Sequence, residues 1–333
     1  MQISKSGRAW TRRTVLGNAG GLFLGALGSG LAWAQAPGKV FRLVIPYPAG
    51  GSTDIVGRIF ATTVGRQLGA TIVPDNKGGA AGLIGMQEVA RSKPDGLTLG
   101  VSGIGTTSLV PWTHKNPPYV FERDLDVIGH LGAFGSLVLT RNDAPFNTLQ
   151  EMVAHAKKAP DSLSFGTPPG GSPSHLTLEY LKDAAGVKML GVPYKGHTEI
   201  LNGLLAGEID LGIVSVPQAQ ELVRARKLKS LAVTSARRSS ALPDVPTVSE
   251  SGYPGFEATL WNVLVCRKGS DKQLLARINA ALNTTFLSPE VTKQLQLQSI
   301  DFEPFSLEAT QAFVLKEQEK WARIAKLVNL KPA

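Results

Sequence analysis

The stretch Leu43-Val44-Ile45-Pro46-Tyr47-Pro48-Ala49-Gly50-Gly51-Ser52-Thr53-Asp54 leaves this chain few ways to fold. An apolar run from Val40 to Ile45 stops at two prolines, which cannot donate to a sheet ladder. Two glycines then allow a tight turn. Ser52, Thr53 and Asp54 open a segment with apolar residues at Ile55, Val56, Ile59, Phe60, Val64 and Leu68, which is helical spacing. The reading is strand, glycine loop, helix. Such a loop leaves unpaired backbone N–H groups at the positive end of a helix dipole, beside two hydroxyls, an arrangement that suits a carboxylate or phosphate. A plain N-capped turn accounts for the same residues, so the ligand reading needs support from the rest of the chain.

That support comes from repetition of the device. Asp75-Asn76-Lys77-Gly78-Gly79-Ala80-Ala81-Gly82 is a second glycine loop between strand and helix, and Ser102-Gly103-Ile104-Gly105-Thr106-Thr107-Ser108 follows a third strand. In the second half, Gly166-Thr167-Pro168-Pro169-Gly170-Gly171-Ser172-Pro173-Ser174-His175 leads from a strand into a helix. Pro193-Tyr194-Lys195-Gly196-His197 does the same further on. Alternating strands and helices predict an α/β fold, and open α/β sheets place ligands at strand C-terminal ends. Two late apolar stripes, one with Leu274, Leu275, Ile278, Ala281, Leu282 and Phe286 and one with Phe313, Val314, Trp321, Ile324, Ala325 and Val328, need a sheet to cover. The first lobe's sheet is the simplest candidate, which makes that lobe discontinuous: 35–138 with 260–333, around a second lobe at 139–259. Two crossovers are expected, near 136–142 and 256–264, with a cleft between the Gly50 and Gly170 loops.

Composition narrows the function. The 333 residues are 43% hydrophobic, enough for a large core, and carry a formal charge of +9. Four of the basic residues, Lys5, Arg8, Arg12 and Arg13, lie in a leader without acidic residues; the remainder is 31 basic against 26 acidic, or +5. With no long basic run and few aromatics, nucleic-acid binding is a poor fit. Residues 1–34 read as an export signal. Thr11-Arg12-Arg13-Thr14-Val15-Leu16 is similar to the twin-arginine motif, with Gly17 where Lys is usual, so Sec export stays open; Ala32-Trp33-Ala34 is a cleavage site. A soluble periplasmic protein follows. The single cysteine, Cys266, sits in an apolar run and reads as a buried small hydrophobe, and no intrachain disulfide can form. His114, His130, His155, His175 and His197 lack metal-ligand spacing, and no cofactor motif is present.

The mature chain resembles the Bug family of extracytoplasmic solute receptors, the periplasmic binding proteins of tripartite tricarboxylate transporters. The likeness rests on the opening loop, Lys93-Pro94-Asp95-Gly96-Leu97-Thr98-Leu99, Val192-Pro193-Tyr194-Lys195-Gly196, Leu231-Ala232-Val233-Thr234-Ser235-Ala236-Arg237-Arg238 and Ala241-Leu242-Pro243-Asp244-Val245-Pro246-Thr247-Val248. It implies a two-lobed type II periplasmic binding fold, mixed sheets flanked by helices with a two-crossover hinge, closing on a small organic acid. In the family the first loop meets the ligand through backbone groups and bridging waters, and the second lobe's Gly/Ser/Thr loop holds a carboxylate. Departures occur at Thr107 and Val110, where the family usually has His and Asn, at Lys77-Gly78 for Arg-Pro, and at Val214-Ser215-Val216-Pro217 for a polar pair. They imply a ligand whose far end is less polar or bulkier than citrate's.

The expected ligand-binding residues are Ala49, Gly50, Gly51, Ser52, Thr53 and Thr106 from the first lobe, with Thr167, Gly170, Gly171, Ser172, Ser174, Tyr194, Lys195 and Ser215 from the second. Helix capping by the same hydroxyls, and a solvated turn for Lys195, are the alternatives. Asp54 fits a dipole partner better than a ligand contact. A serine hydrolase built on Ser172 or Ser174 with His175 is disfavoured, because sequence neighbours rarely hold triad geometry and no Gly-x-Ser-x-Gly elbow is present. A monomeric receptor that hands a carboxylate to membrane subunits is the expected function. A periplasmic sensor of a similar acid is the competing one.

Overall fold

The computed structural model describes residues 39–168 and 171–330; the expected export segment and Gly170 lie outside them. The chain runs β1 (Val40–Ile45), α1 (Ser52–Leu68), β2 (Thr71–Asn76), α2 (Leu83–Arg91) and β3 (Thr98–Gly103). Single-turn helices α3 (Ile104–Thr107), α4 (Val110–Thr113) and α5 (Phe121–Asp124) precede β4 (Leu125–Phe134) and β5 (Ser136–Arg141). Then come α6 (Leu149–Lys158), β6 (Ser164–Thr167), α7 (Pro173–Ala185), β7 (Leu190–Pro193), α8 (His197–Ala206) and β8 (Leu211–Ser215). The chain finishes with α9 (Val216–Arg224), β9 (Leu228–Val233), β10 (Leu260–Arg267), α10 (Lys272–Phe286), α11 (Pro289–Leu297) and α12 (Leu307–Leu327).

The opening unit is strand, loop and helix, as its residues predict. Gly51 is extended (φ −78°, ψ 166°), so α1 starts at Ser52, and the Ile55 N–H is the first to bond back, to the Gly51 carbonyl at 3.0 Å. Gly69 ends it in the left-handed region at φ 63°. Val56, Phe60 and Val64 are buried on one face, each burial stabilising by roughly 1.5–3 kcal/mol.

Two five-stranded mixed sheets result, ordered β2-β1-β3-β10-β4 and β7-β6-β8-β5-β9. In each, three parallel strands are followed by an antiparallel one, β10 in the first and β5 in the second. The first crossing is the single residue Gly135, just before the expected stretch, and the second is the segment from Thr234 to Thr259. The two crossings touch. The Thr234 N–H donates to the Ser136 carbonyl (2.8 Å), Ser136 N–H to Thr234 Oγ1 (3.0 Å), and the Ala258 N–H to the Thr234 carbonyl (2.9 Å). A Cβ on Gly135 would lie 2.5 Å from Val233 Cγ2, so only a bare backbone fits beside β9.

The terminal helices cover the first sheet, with α10 and α11 joining α1 over one face through Ile278, Leu282, Phe286 and Val291. Cys266 is wholly buried there, and burial pushes its thiol up to about 11. Helix α12 lies on the other side, against both α3 and α7, so one apolar cluster runs from Met86 and Trp261 through Trp321 to Leu178 and Leu181 in the second lobe. Its polar anchor is Glu317, 8% exposed, whose carboxylate accepts from Trp261 Nε1 (2.7 Å) and Trp321 Nε1 (3.3 Å) and pairs with Lys320 (2.7 Å). Lys320 also reaches Glu257 in the second crossing, at 2.7 Å.

Glu317→Ala strands both indole N–H groups, and urea unfolding should register a loss of about 3 kcal/mol. A loss below about 1 kcal/mol would mean that apolar packing alone holds α12. A second test uses His130 on β4, buried 4.9 Å from the Phe305 ring and 5.4 Å from the Phe313 ring. Burial pushes its pKa down from 6.5 to about 4, against a 3.1 Å bond from Nδ1–H to the Glu303 carbonyl. The fold thus prefers the neutral ring, so this contribution is whole above pH 6.5 and is lost as pH falls toward 4, about 3 kcal/mol in all. His130→Phe should flatten the plot of unfolding free energy across that window; an unchanged slope would assign the acid lability to other groups.

Candidate functional site

In the first lobe the site begins where β1 ends. Gly50 turns through φ 89°, and its N–H donates to Asp54 Oδ2 at 2.9 Å. Asp54 is buried and also accepts from Arg58 Nε (2.9 Å) and Asn76 Nδ2 (2.9 Å). Burial opposes its ionisation, but the bonds from Arg58, Gly50 and Asn76 outweigh that cost and lower its pKa. Asp54 therefore shapes the loop from behind, and one N–H of the loop, that of Gly50, is spent on it. The N–H groups of Ser52, Thr53 and Asp54 at the helix start find no acceptor among the described residues. Ala49 and Gly50 are exposed, while Gly51, Ser52 and Thr53 are half-buried. Thr53 Oγ1 reaches Asn262 Oδ1 on β10 at 3.2 Å.

Thr106 lies beneath this surface. It is fully buried, with Oγ1 bonded to Ser102 Oγ (2.8 Å) and to the Gly103 N–H (3.1 Å), and its carbonyl accepts from Tyr119 Oη (2.6 Å). Its neighbour Gly105 faces the other lobe: a Cβ there would stand 3.2 Å from Tyr47 Oη and 3.8 Å from Pro173 Cδ. Tyr47 is the residue that the sequence reading passed over. Its half-buried phenol sits over Gly82 and Gly105 with no hydrogen-bond partner among the described residues, and burial pushes its pKa up to about 12. The signal for it was an aromatic ring held between Pro46 and Pro48 inside a glycine loop.

In the second lobe, three helices start at the C-terminal ends of the parallel strands β6, β7 and β8, and their first turns converge. Gly171 turns at φ 83° and gives its N–H to His175 Nδ1 (3.2 Å); a Cβ there would press 2.4 Å from Thr113 Cγ2 of the first lobe. Ser172 caps α7 by accepting the His175 N–H at 3.3 Å. Thr167 Oγ1 donates to the Pro168 carbonyl at 2.9 Å. The Ser174 N–H has no acceptor among the described residues, and its hydroxyl bonds His197 Nε2 at 2.8 Å. His197 Nδ1 meets Gln218 Oε1 at 2.8 Å, and buried Ser215 donates to the same oxygen at 2.8 Å. An amide oxygen only accepts, so Nδ1 carries the proton and the Ser174 hydroxyl donates to Nε2.

The structure thus joins Ser174 and Ser215 through His197 and Gln218, and sets Gly105 opposite Pro173 and Gly171 against Thr113. It turns Tyr194 away, its phenol lying over Gly203 and donating to Glu208 at 3.2 Å, and leaves Lys195 exposed. Ser174 pairs with His197 and not with His175. Among the described residues no group of three His, Cys, Asp or Glu side chains could hold a metal ion. A hollow lined by Arg141, Asp143, Gly207 and Lys227 lies at the opposite ends of the second sheet's strands, away from these helix starts. Two long helices whose first N–H groups find no acceptor among the described residues can hold an anionic group by charge-assisted bonds.

Comparison with known proteins gives this geometry a context. The sequence profile described as the tripartite tricarboxylate transporter family receptor, TctC, matches residues 56–330. BugT of Bordetella pertussis is 30% identical over 300 residues, 89% of this chain and 91% of that protein. A structure from R. palustris solved with adipate superposes with a TM-score of 0.83 at 26% identity, covering 90% of this chain and 100% of its own. MatC of Rhodopseudomonas palustris, solved with bound malate, gives 0.77 at 27% identity over 86% of this chain and 98% of its own. The fold is that of the periplasmic solute-binding proteins, a receptor class and not an enzyme class, and the chain belongs to the tripartite tricarboxylate transporter receptor family, the Bug proteins among them.

Proposed function

We propose that this protein is a periplasmic receptor that closes its lobes on a small dicarboxylate and delivers it to the membrane subunits of a tripartite transporter. The observation that supports the reading is a pair of helix starts, α1 and α7, whose Ser52, Thr53 and Ser174 N–H groups have no acceptor among the described residues, with the Tyr47 phenol and Gly105 beside Pro173 where the lobes meet. Relatives of the same fold solved with adipate and with malate support the choice of a dicarboxylate. The backbone of Ala49, Gly50 and Gly51 would line one end of the ligand, and the Gly171–Ser174 turn the other. Charge-assisted bonds contribute roughly 1.5–3 kcal/mol each. Three or four of them, less the cost of ordering, reach the ~8 kcal/mol of a micromolar complex without an arginine clamp.

A thermal-shift panel of adipate, malate, citrate and benzoate tests this. At a hundred times Kd a ligand stabilises by about 2.7 kcal/mol, which should move Tm by several degrees. Silence across the panel at saturating concentration would reject the carboxylate site. Among the described residues the Tyr47 phenol has no hydrogen-bond partner, so Tyr47→Phe should leave Tm of the free protein unchanged yet weaken binding of the responding acid by about tenfold or more, as a lost bond to a charged group does. Equal affinity in calorimetry would place the ligand away from that ring.

A further inference from the structure

The chain of polar groups behind α7 has a feature that anion binding alone does not use. Ser174 stands in the first turn of α7, His197 in that of α8 and Gln218 in that of α9, so one residue from each converging helix forms a continuous hydrogen-bonded line. In that line the Gln218 oxygen, held also by buried Ser215, fixes the proton on His197 Nδ1. Ser174 must then spend its own proton on Nε2. In this state the buried Ser174 oxygen has only lone pairs left to offer, and lone pairs repel a carboxylate.

We infer that His197 takes up a proton from solvent when a ligand carboxylate docks at the start of α7, and so positions the Ser174 hydroxyl for it. The balance is simple. A solvent proton binds Nε2; the new Nε2–H donates to Ser174 Oγ; the Ser174 proton, released from Nε2, turns to the carboxylate oxygen. Gln218 continues to accept from Nδ1–H, so the imidazolium has both of its N–H groups partnered.

The surroundings of the ring agree with a group that is neutral when the site is empty and charged when it is filled. From α7 it meets Ser174 and from α9 Gln218, which Ser215 of β8 holds in turn, all uncharged. His175 on α7 is committed to the Gly171 N–H, and Lys195 and Glu199 on the ring's own turn are exposed. No acid faces the ring from these elements to hold a proton there in the free protein. Burial lowers the pKa of His197, with the Gln218 bond acting the other way. A carboxylate one hydroxyl away is then the only anion that would raise it.

This inference rests on the dicarboxylate reading, and its test separates the two. Adipate and malate are titrated calorimetrically at pH 5.5 and pH 8, in paired buffers of different ionisation enthalpy. The expected result is severalfold tighter binding at pH 5.5 than at pH 8, with a buffer-dependent heat at pH 5.5 that reports proton uptake by one linked group. If neither acid binds at any pH, the dicarboxylate reading falls with it. If an acid binds with equal affinity at both pH values and no buffer-dependent heat, the receptor reading stands and the role of His197 is overturned. His197→Gln carries an amide N–H that does not titrate, so it should bind with a flat pH profile; a profile that persists would put the proton elsewhere, on His175 first. If that variant does not fold, the His197 imidazole signal of the wild type, followed by NMR against pH with and without adipate, locates the proton: a signal that titrates identically in both would overturn the role of His197.

Discussion

The structure depends on two strands of backbone that cross between sheets side by side, laced through Thr234. That residue opens the second crossing, bonds Ser136 at the exit of the first and Ala258 near the far end of its own, and is fully buried. Gly135 permits the approach because a side chain there would collide with Val233. Rotation about a paired crossing of this kind moves the lobes as bodies while leaving each sheet intact. Everything placed on the strand ends at the lobe boundary is thereby carried together or apart as a set.

Helix α12 adds a constraint to that motion. It packs on α3 below the first lobe's site loops and on α7 in the second, and Glu317 ties it to Trp261 at the base of β10. Helix α7 therefore rests on an element anchored in the opposite lobe. An apolar contact of this sort tolerates sliding better than a polar one, and here the polar anchor stays on the first-lobe side. The same division appears at the helix starts: Asp54 and Thr106 spend their side chains on shaping turns, while among the described residues the first N–H groups of α1 and the Tyr47 phenol find no partner.

Much of the fold was legible in the sequence because its signals are local. A strand cut by prolines, glycines at a turn and an apolar stripe at helical spacing identify β1 and α1 without reference to anything else, and Gly171 and Ser172 do the same for α7. The site was less legible, because its parts meet across sequence distance. Nothing near Ser174 announces His197 or Gln218; parallel strand order alone brings three helix starts into one corner. Side-chain direction was equally hidden. Thr106 looks like a ligand group in a polar loop yet points inward to Ser102, and Tyr194 ends against Glu208 because α8 offers it Gly203 to lie on. Hydroxyls in such loops divide between capping and contact according to torsions that composition does not encode.

The shared order of the two sheets bears on how the polypeptide is assembled. The second sheet draws all five strands from one unbroken span, 136–233, whereas the first keeps a vacant place between β3 and β4 that only β10, at 260–267, can occupy. While the ribosome is still short of that strand, β3 and β4 each present an unzipped border. The half of the molecule that is made first is thus the half completed last, and its borders stay open to wrong pairing until the late strand arrives.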